Sequence, residues 1–171
     1  VSSWVPGGVG HASPPAHAST DASWGSAFPS VAYALYKTAG DPVAVKKYWP
    51  GLDRFMVNEY NRTASDWSAF NIFTGPGDWC PAPRSASNPA FAPEAKVDGK
   101  VSAGFSFIND LGHMAEMAAA LGDGGAARVR YAGMYKTAKE AFRAKFFDTA
   151  KGHFVDGGQT AQVRRLCKQT S

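Results

Sequence analysis

The sequence predicts an all-α chain of antiparallel helical hairpins interrupted by one long loop, and three observations carry that expectation. Apolar residues recur at helical spacing in two pairs of stretches. Glycine-containing turns, Gly40-Asp41-Pro42 and Gly122-Asp123-Gly124-Gly125, join the members of each pair. Between the pairs, residues 64–102 show no apolar stripe and hold five of the eleven prolines, at Pro76, Pro81, Pro83, Pro89 and Pro93. A loop of that length inside a compact domain usually carries function.

The first helix is expected from Trp24, with Trp24, Phe28, Val31 and Leu35 on its inner face and Asp21 or Ser23 as N-cap. Pro29 is compatible only with its first turn, and Gly40 ends it. The second runs over about 42–63, with Val45, Tyr48, Leu52, Phe55, Met56 and Tyr60 on one face. Pro50 is expected to divide it, because a helix interior does not accept proline readily. The third carries Phe107, Leu111, Met114, Ala118 and Leu121 toward a C-cap at Gly122. The fourth spans about 125–147, with Ala127, Tyr131, Met134, Ala138, Phe142 and Phe146 on its stripe. A turn at Asp156-Gly157-Gly158 follows, and the chain ends in a polar, basic tail. The expected organisation is an irregular leader over 1–22, a helical domain over 23–162 and a tail over 163–171.

Composition narrows the function. A chain of 171 residues with 44% hydrophobic content makes one core. The net charge of +4 comes from scattered basic residues, so no nucleic-acid stripe is expected. No apolar run reaches the roughly 18 residues of a membrane span. Cys80 and Cys167 either form one disulfide or stay as separate thiols, and with Asn61-Arg62-Thr63 as a glycosylation acceptor they tilt the expectation toward a secreted or lumenal protein. His11 and His17 lack the further ligands of a closed zinc site, so no metal is expected. His113 reads as a half-buried helical histidine and His153 as a turn residue. Gly122-Asp123-Gly124-Gly125 reads as an interhelical turn rather than a phosphate cradle, since it lacks a Gly-Lys-Ser/Thr ending. No cofactor is implied.

The long loop holds the most informative segment, Gly75-Pro76-Gly77-Asp78-Trp79-Cys80-Pro81. A carboxylate accepts hydrogen bonds from paired sugar hydroxyls, and an indole packs on the C–H face of a pyranose. The same residues also suit a tight turn with Asp78 as a local cap and Trp79 in the core. Glu59, Glu116 and Glu140 read as solvated or capping helical residues, and Glu94 lies in the loop.

Several motifs then occur in order. Asp21-Ala22-Ser23-Trp24-Gly25-Ser26-Ala27 resembles a Trp-Gly helix start, and Leu35-Tyr36-Lys37-Thr38-Ala39-Gly40-Asp41 resembles an "LY…GD" hairpin. Tyr48-Trp49-Pro50-Gly51-Leu52, Gly77-Asp78-Trp79, 115–122, Ala141-Phe142, Phe146-Phe147 and Gly158-Gln159-Thr160-Ala161 follow. Together they resemble the α-L-rhamnosidase catalytic domain, a six-hairpin (α/α)6 glycosidase, over most of residues 21–162. The resemblance implies a partial (α/α)6 toroid and a rhamnose pocket with Trp24 and Trp79 as walls, Asp78 as hydroxyl acceptor and Asp21 as a neighbour. Ser26 departs from the pattern, since many relatives carry an acidic residue after Trp-Gly.

Inverting glycosidases hold their acid and base roughly 6.5–9.5 Å apart. The resemblance places the acid upstream of these residues and the base on a later hairpin. At roughly 12 residues per helix plus loops a whole toroid needs about twice this length. The expectation is therefore a fragment that supplies pocket residues for a rhamnose-containing glycoside or other carbohydrate but is inactive alone, its open helical face covered by other protein chains. The alternative is a noncatalytic structural or binding subunit that uses the same face.

Overall fold

A computed structural model describes residues 22–40, 42–72, 74 and 99–154. Two helical hairpins make up the described part. The first consists of a single turn α1 (Ala22–Gly25), then α2 (Ala27–Ala39) and α3 (Pro42–Ala64). The second consists of α4 (Gly99–Met117), a 3-10 turn (Ala118–Ala120) and α5 (Ala126–Phe146). A two-residue hairpin of β1 (Phe147–Asp148) and β2 (His153–Phe154) follows, paired antiparallel. α4 lies at the centre, packed against α1, α2, α3 and α5. The arrangement is a partial toroid of helical hairpins.

The first hairpin differs from expectation in three ways. Its first helix is broken at Ser26, because Pro29 has no N–H to give the Gly25 carbonyl. Pro29 itself sits buried in the first turn of α2, and Ser23 lies inside α1 rather than capping it. The inner face is also rotated. Ala22, Gly25 and Pro29 are buried, with Phe28, Ala32, Tyr33 and Tyr36 against the core, while Trp24, Val31 and Leu35 are more than half exposed. Gly40 closes α2 in the left-handed region (φ 65°), its N–H donating to the Tyr36 carbonyl, as a C-capping glycine does.

In the second departure, α3 runs unbroken through Pro50. An interior proline costs about 3 kcal/mol, yet Val45 before it and Leu52, Phe55 and Met56 after it are all fully buried. Each such side chain stabilises by roughly 1.5–3 kcal/mol, so packing on both sides outweighs the lost bond. Tyr48, expected on the same face, is exposed instead.

The third departure is Glu59. It is wholly buried on α3, not solvated, and one turn later the buried Thr63 hydroxyl donates to its backbone carbonyl at 2.8 Å.

The second hairpin follows its stripe closely. On α5, Ala127, Tyr131, Ala138, Phe142 and Phe146 are buried, and Met134 packs at the edge. On α4, Phe107, Leu111 and Met114 are buried, as is Ala118 in the 3-10 turn. α4 starts at Gly99, three residues before the expected end of the loop at 102. Asp123 caps α5: its carboxylate accepts from the Gly125 and Ala127 N–H groups at 3.0 and 2.8 Å. The turn is thus an interhelical one, with Gly122, Gly124 and Gly125 all at positive φ.

An aromatic cluster seals this hairpin. Phe142 lies 4.9 Å from Phe105, 4.8 Å from Phe146 and 5.3 Å from Phe70, ring centre to ring centre. Phe70 comes from the turn after α3 and is fully buried at φ 48°, so the first hairpin contributes one ring to the second. Gly104 on α4 lets these rings close: a Cβ there would stand 2.5 Å from Phe142 and 3.0 Å from Phe70. β2 adds Phe154, 5.2 Å from Phe105. The fold is all-α as expected, with this two-residue β-hairpin appended, and His153 lies in β2 with its ring nitrogen 2.8 Å from the Phe154 carbonyl.

Candidate functional site

Trp24 is the predicted pocket residue that falls within the described chain. It projects from the single turn of α1 and is 58% exposed, so a large part of its indole is open to a ligand. Asp21, Asp78, Trp79, Cys80 and Cys167 lie outside the described residues, as do His11, His17, Glu94 and the turn at 156–158. Asn61 is exposed on the last turns of α3.

Beside Trp24, the contact between α2 and α4 is a ladder of polar pairs. At its α1 end, the Ser26 and Ser30 hydroxyls are 3.3 Å apart, and Ser30 Oγ donates to Asp110 Oδ1 at 3.2 Å. One turn on, the Tyr33 ring stacks on His113 at 3.9 Å, with His113 Nδ1 3.6 Å from Asp110 Oδ1. At the far end the Tyr33 hydroxyl donates to Glu116 Oε2 at 2.8 Å, and Lys37 Nζ approaches the same oxygen at 3.2 Å. Two sides of the ladder thus advance together along α2 and α4.

Its two carboxylates are tuned in opposite directions. Asp110 is 1% exposed, and burial pushes its carboxyl above the usual carboxylate range against the pull of His113, Ser26 and Ser30. Glu116 is held below that range by the Tyr33 hydroxyl first, helped by Lys37. Asn109 Nδ2 lies 3.2 Å from His113 Nε2. If that amide donates, the imidazole proton of a neutral ring sits on Nδ1, facing Asp110. His113 is mostly buried, as the sequence suggests.

A second polar cluster, where α3 meets α5, is structural. The buried Tyr131 phenol donates to Asp53 at 2.7 Å, and Arg130 pairs with the same carboxylate. Burial, then this bond, raises the Tyr131 phenol well above its ordinary range. Among the described residues no group of three or more His, Cys, Asp or Glu gathers to hold a metal. No described helix is long and apolar enough to cross a membrane.

The ladder escaped the sequence reading, although Asp110 leaves a signal there. It stands between Phe107, Leu111 and Met114 on a stripe otherwise apolar, and a polar residue in a core register needs a partner. Ser26, the departure from the pattern after Trp-Gly, lies at the turn that Asp110 approaches from α4 through Ser30.

The family model for the bacterial α-L-rhamnosidase six-hairpin glycosidase domain matches residues 2–169. The chain belongs to that family. Among solved structures, an α-L-rhamnosidase from Dictyoglumus thermophilum is similar with a TM-score of 0.61 and 25% sequence identity. The match covers 75% of this chain and 13% of that one, so the chain spans a small part of the length of this six-hairpin relative. No curated protein matches.

Proposed function

We propose that this rhamnosidase-family chain forms one wall of an α-L-rhamnoside site and, by itself, binds the sugar without hydrolysing it. The observation that carries the reading is Trp24, an indole 58% exposed on a single helical turn at the end of the α2 to α4 ladder. Its face suits the C–H side of a pyranose, while Asp78 and Trp79 supply a hydroxyl acceptor and a second wall, with Asp21 as a neighbour.

The state of the described carboxylates supports binding over turnover. A general acid needs a raised pKa and access to the leaving oxygen. Asp110 has the first without the second, since it is buried. Glu116 has access but is held low, and the exposed Asp66 and half-buried Asp148 are held low by hydrogen bonds, from Ser68 and the Lys151 N–H first. The general acid is then supplied by a residue other than these. The same reading makes the chain a secreted or lumenal protein, with the domain over 23–162 as its working part.

The test is a titration of the chain with L-rhamnose beside an assay on an aryl α-L-rhamnoside. Saturable binding lost in Trp24→Ala, with no turnover, is the expected result. Turnover abolished by Asp78→Ala contradicts the inactive reading, and absence of any binding defeats the sugar-wall reading.

A second reading draws on Val31 and Leu35, each more than half exposed on α2. An apolar face of this kind fits a noncatalytic subunit that docks other protein chains. Incorporation into a complex without sugar binding favours it.

A further inference from the structure

The basic residues look scattered along the sequence, but the fold collects them. α5 holds six of the 18, Arg128, Arg130, Lys136, Lys139, Arg143 and Lys145, and one of the 14 acidic residues, Glu140. Elsewhere twelve basic residues meet thirteen acidic ones, so the positive charge of the chain is the charge of α5. Arg130 turns to α3 and pairs with Asp53 there. Arg128, Ala132, Lys136, Lys139 and Arg143 recur at helical spacing, each of them exposed, and form one stripe. At 1.5 Å per residue it runs about 22 Å.

An ordinary solvated face offsets its cations with acids one turn away. Here, among the described residues, no carboxylate lies within ion-pair distance of any of the four, Glu140 included. Two of them are held by rings instead. Lys139 Nζ donates to the Tyr135 hydroxyl at 3.3 Å and lies 5.3 Å from the centre of that ring. Arg143 stands 4.9 Å over Phe147, whose ring packs edge-on against Phe154 at 5.2 Å. Cations fixed in this way lose little freedom when they meet a ligand. A guanidinium over a ring also keeps its N–H edge for a planar carboxylate.

We propose that this stripe binds an acidic glycan, a polysaccharide carrying uronate carboxylates, and seats the polymer along α5. From the proposed function this takes only that the partner is a carbohydrate. Charge density separates such a glycan from nucleic acid. A duplex presents about one charge per 1.7 Å of axis, about thirteen over the length of the stripe. Against four cations, carboxylates set one or more sugar rings apart are the closer match. Trp24 stands on α1 and the stripe on α5, so the two contacts are separate surfaces.

The test is binding of the full chain to alginate, a rhamnose-free polyuronate. Saturable binding is expected, weakening as salt shortens the Debye length from about 10 Å at 0.1 M to about 3 Å at 1 M. Lys136→Gln, Lys139→Gln and Arg143→Gln together are expected to weaken it about tenfold, since each exposed ion pair contributes a factor of roughly two to five. Lys46→Gln, Lys47→Gln and Arg54→Gln together remove the same charge from exposed positions of α3, and are expected to leave binding within about twofold of the parent. Both variants change exposed side chains and are expected to keep the circular dichroism of the parent. Equal weakening by the two would mean that net charge alone is felt, and overturns the stripe. So does a DNA duplex bound as tightly as alginate, or neutral dextran bound as tightly as either. L-rhamnose separates the two readings: a chain that binds alginate but not L-rhamnose keeps the stripe and loses the sugar wall, and the reverse overturns the stripe alone.

Discussion

The two hairpins use apolar residues in opposite ways. In the second, the stripe on α5 is buried almost residue for residue, and Phe105, Phe142, Phe146 and Phe154 close over it with Phe70. In the first, α2 has apolar side chains on both sides: Pro29, Ala32 and Tyr36 inward, Val31 and Leu35 outward. The inward contact to α4 is then completed by polar pairs rather than by more hydrocarbon. The second hairpin is closed by packed rings, while the first joins α4 through hydroxyls and carboxylates as well as through the buried side chains of α3.

The largest test of this contrast is Phe142→Ala. Truncating a ring in such a cluster is expected to cost about 3–5 kcal/mol, read as a lower midpoint in urea. A loss under about 1 kcal/mol would mean that the ring cluster does not close the second hairpin. Gly104→Val follows. Its Cβ would meet Phe142 at 2.5 Å, and overpacking of this kind costs about 1–3 kcal/mol or more. Equal stability to the parent would show that the rings are not closed there.

The ladder gives a smaller effect with a distinctive pH dependence. Asp110 is raised in the folded chain, so its favourable contribution is full below the ordinary carboxylate pKa and lost as pH rises through the raised value. Asp110→Asn is therefore expected to gain in relative melting temperature at pH 7, the gain vanishing near pH 3. Glu116 is lowered, so its contribution is present above the ordinary value and lost as pH falls through the lowered one. Glu116→Gln should lose stability at pH 7 and match the parent at acid pH, by a small amount because the pair with Lys37 is solvent-screened. Melting curves of both variants at the two pH values sharpen the comparison, and shifts of the same sign would break it.

Least of all, Leu35→Ser is expected to stay within about 0.5 kcal/mol of the parent, since its side chain is already 52% exposed. A larger loss would place that face inside the fold.

How much of this was legible in the sequence follows from the same contrast. Periodicity found α5 because its large apolar residues, Val129 apart, fall on one stripe. It rotated α2 because a helix apolar on both sides has no unique inner face, and Trp24, Val31 and Leu35 share helical spacing as well as Ala22, Pro29 and Tyr36 do. Pro50 was over-read, since local propensity is a weak prior against four buried side chains. Asp110 and Glu59 were missed because helical charges are ordinarily solvated, and only the packed neighbours reveal otherwise. The β-hairpin after α5 is two residues to a strand, too short for alternation to register. Trp24 was singled out by an ordered set of motifs, and its exposure is independent of them.

Phe70 draws the two halves into one thermodynamic unit. Its backbone conformation, at φ 48°, would suit glycine or asparagine, but a phenyl ring is what packs against both Phe142 and Phe146. Fraying of α3 from its C-terminal end must extract that ring from the neighbouring hairpin. Unwinding at one end and core melting at the other are therefore expected to merge into a single calorimetric transition, even though the two hairpins are so differently built.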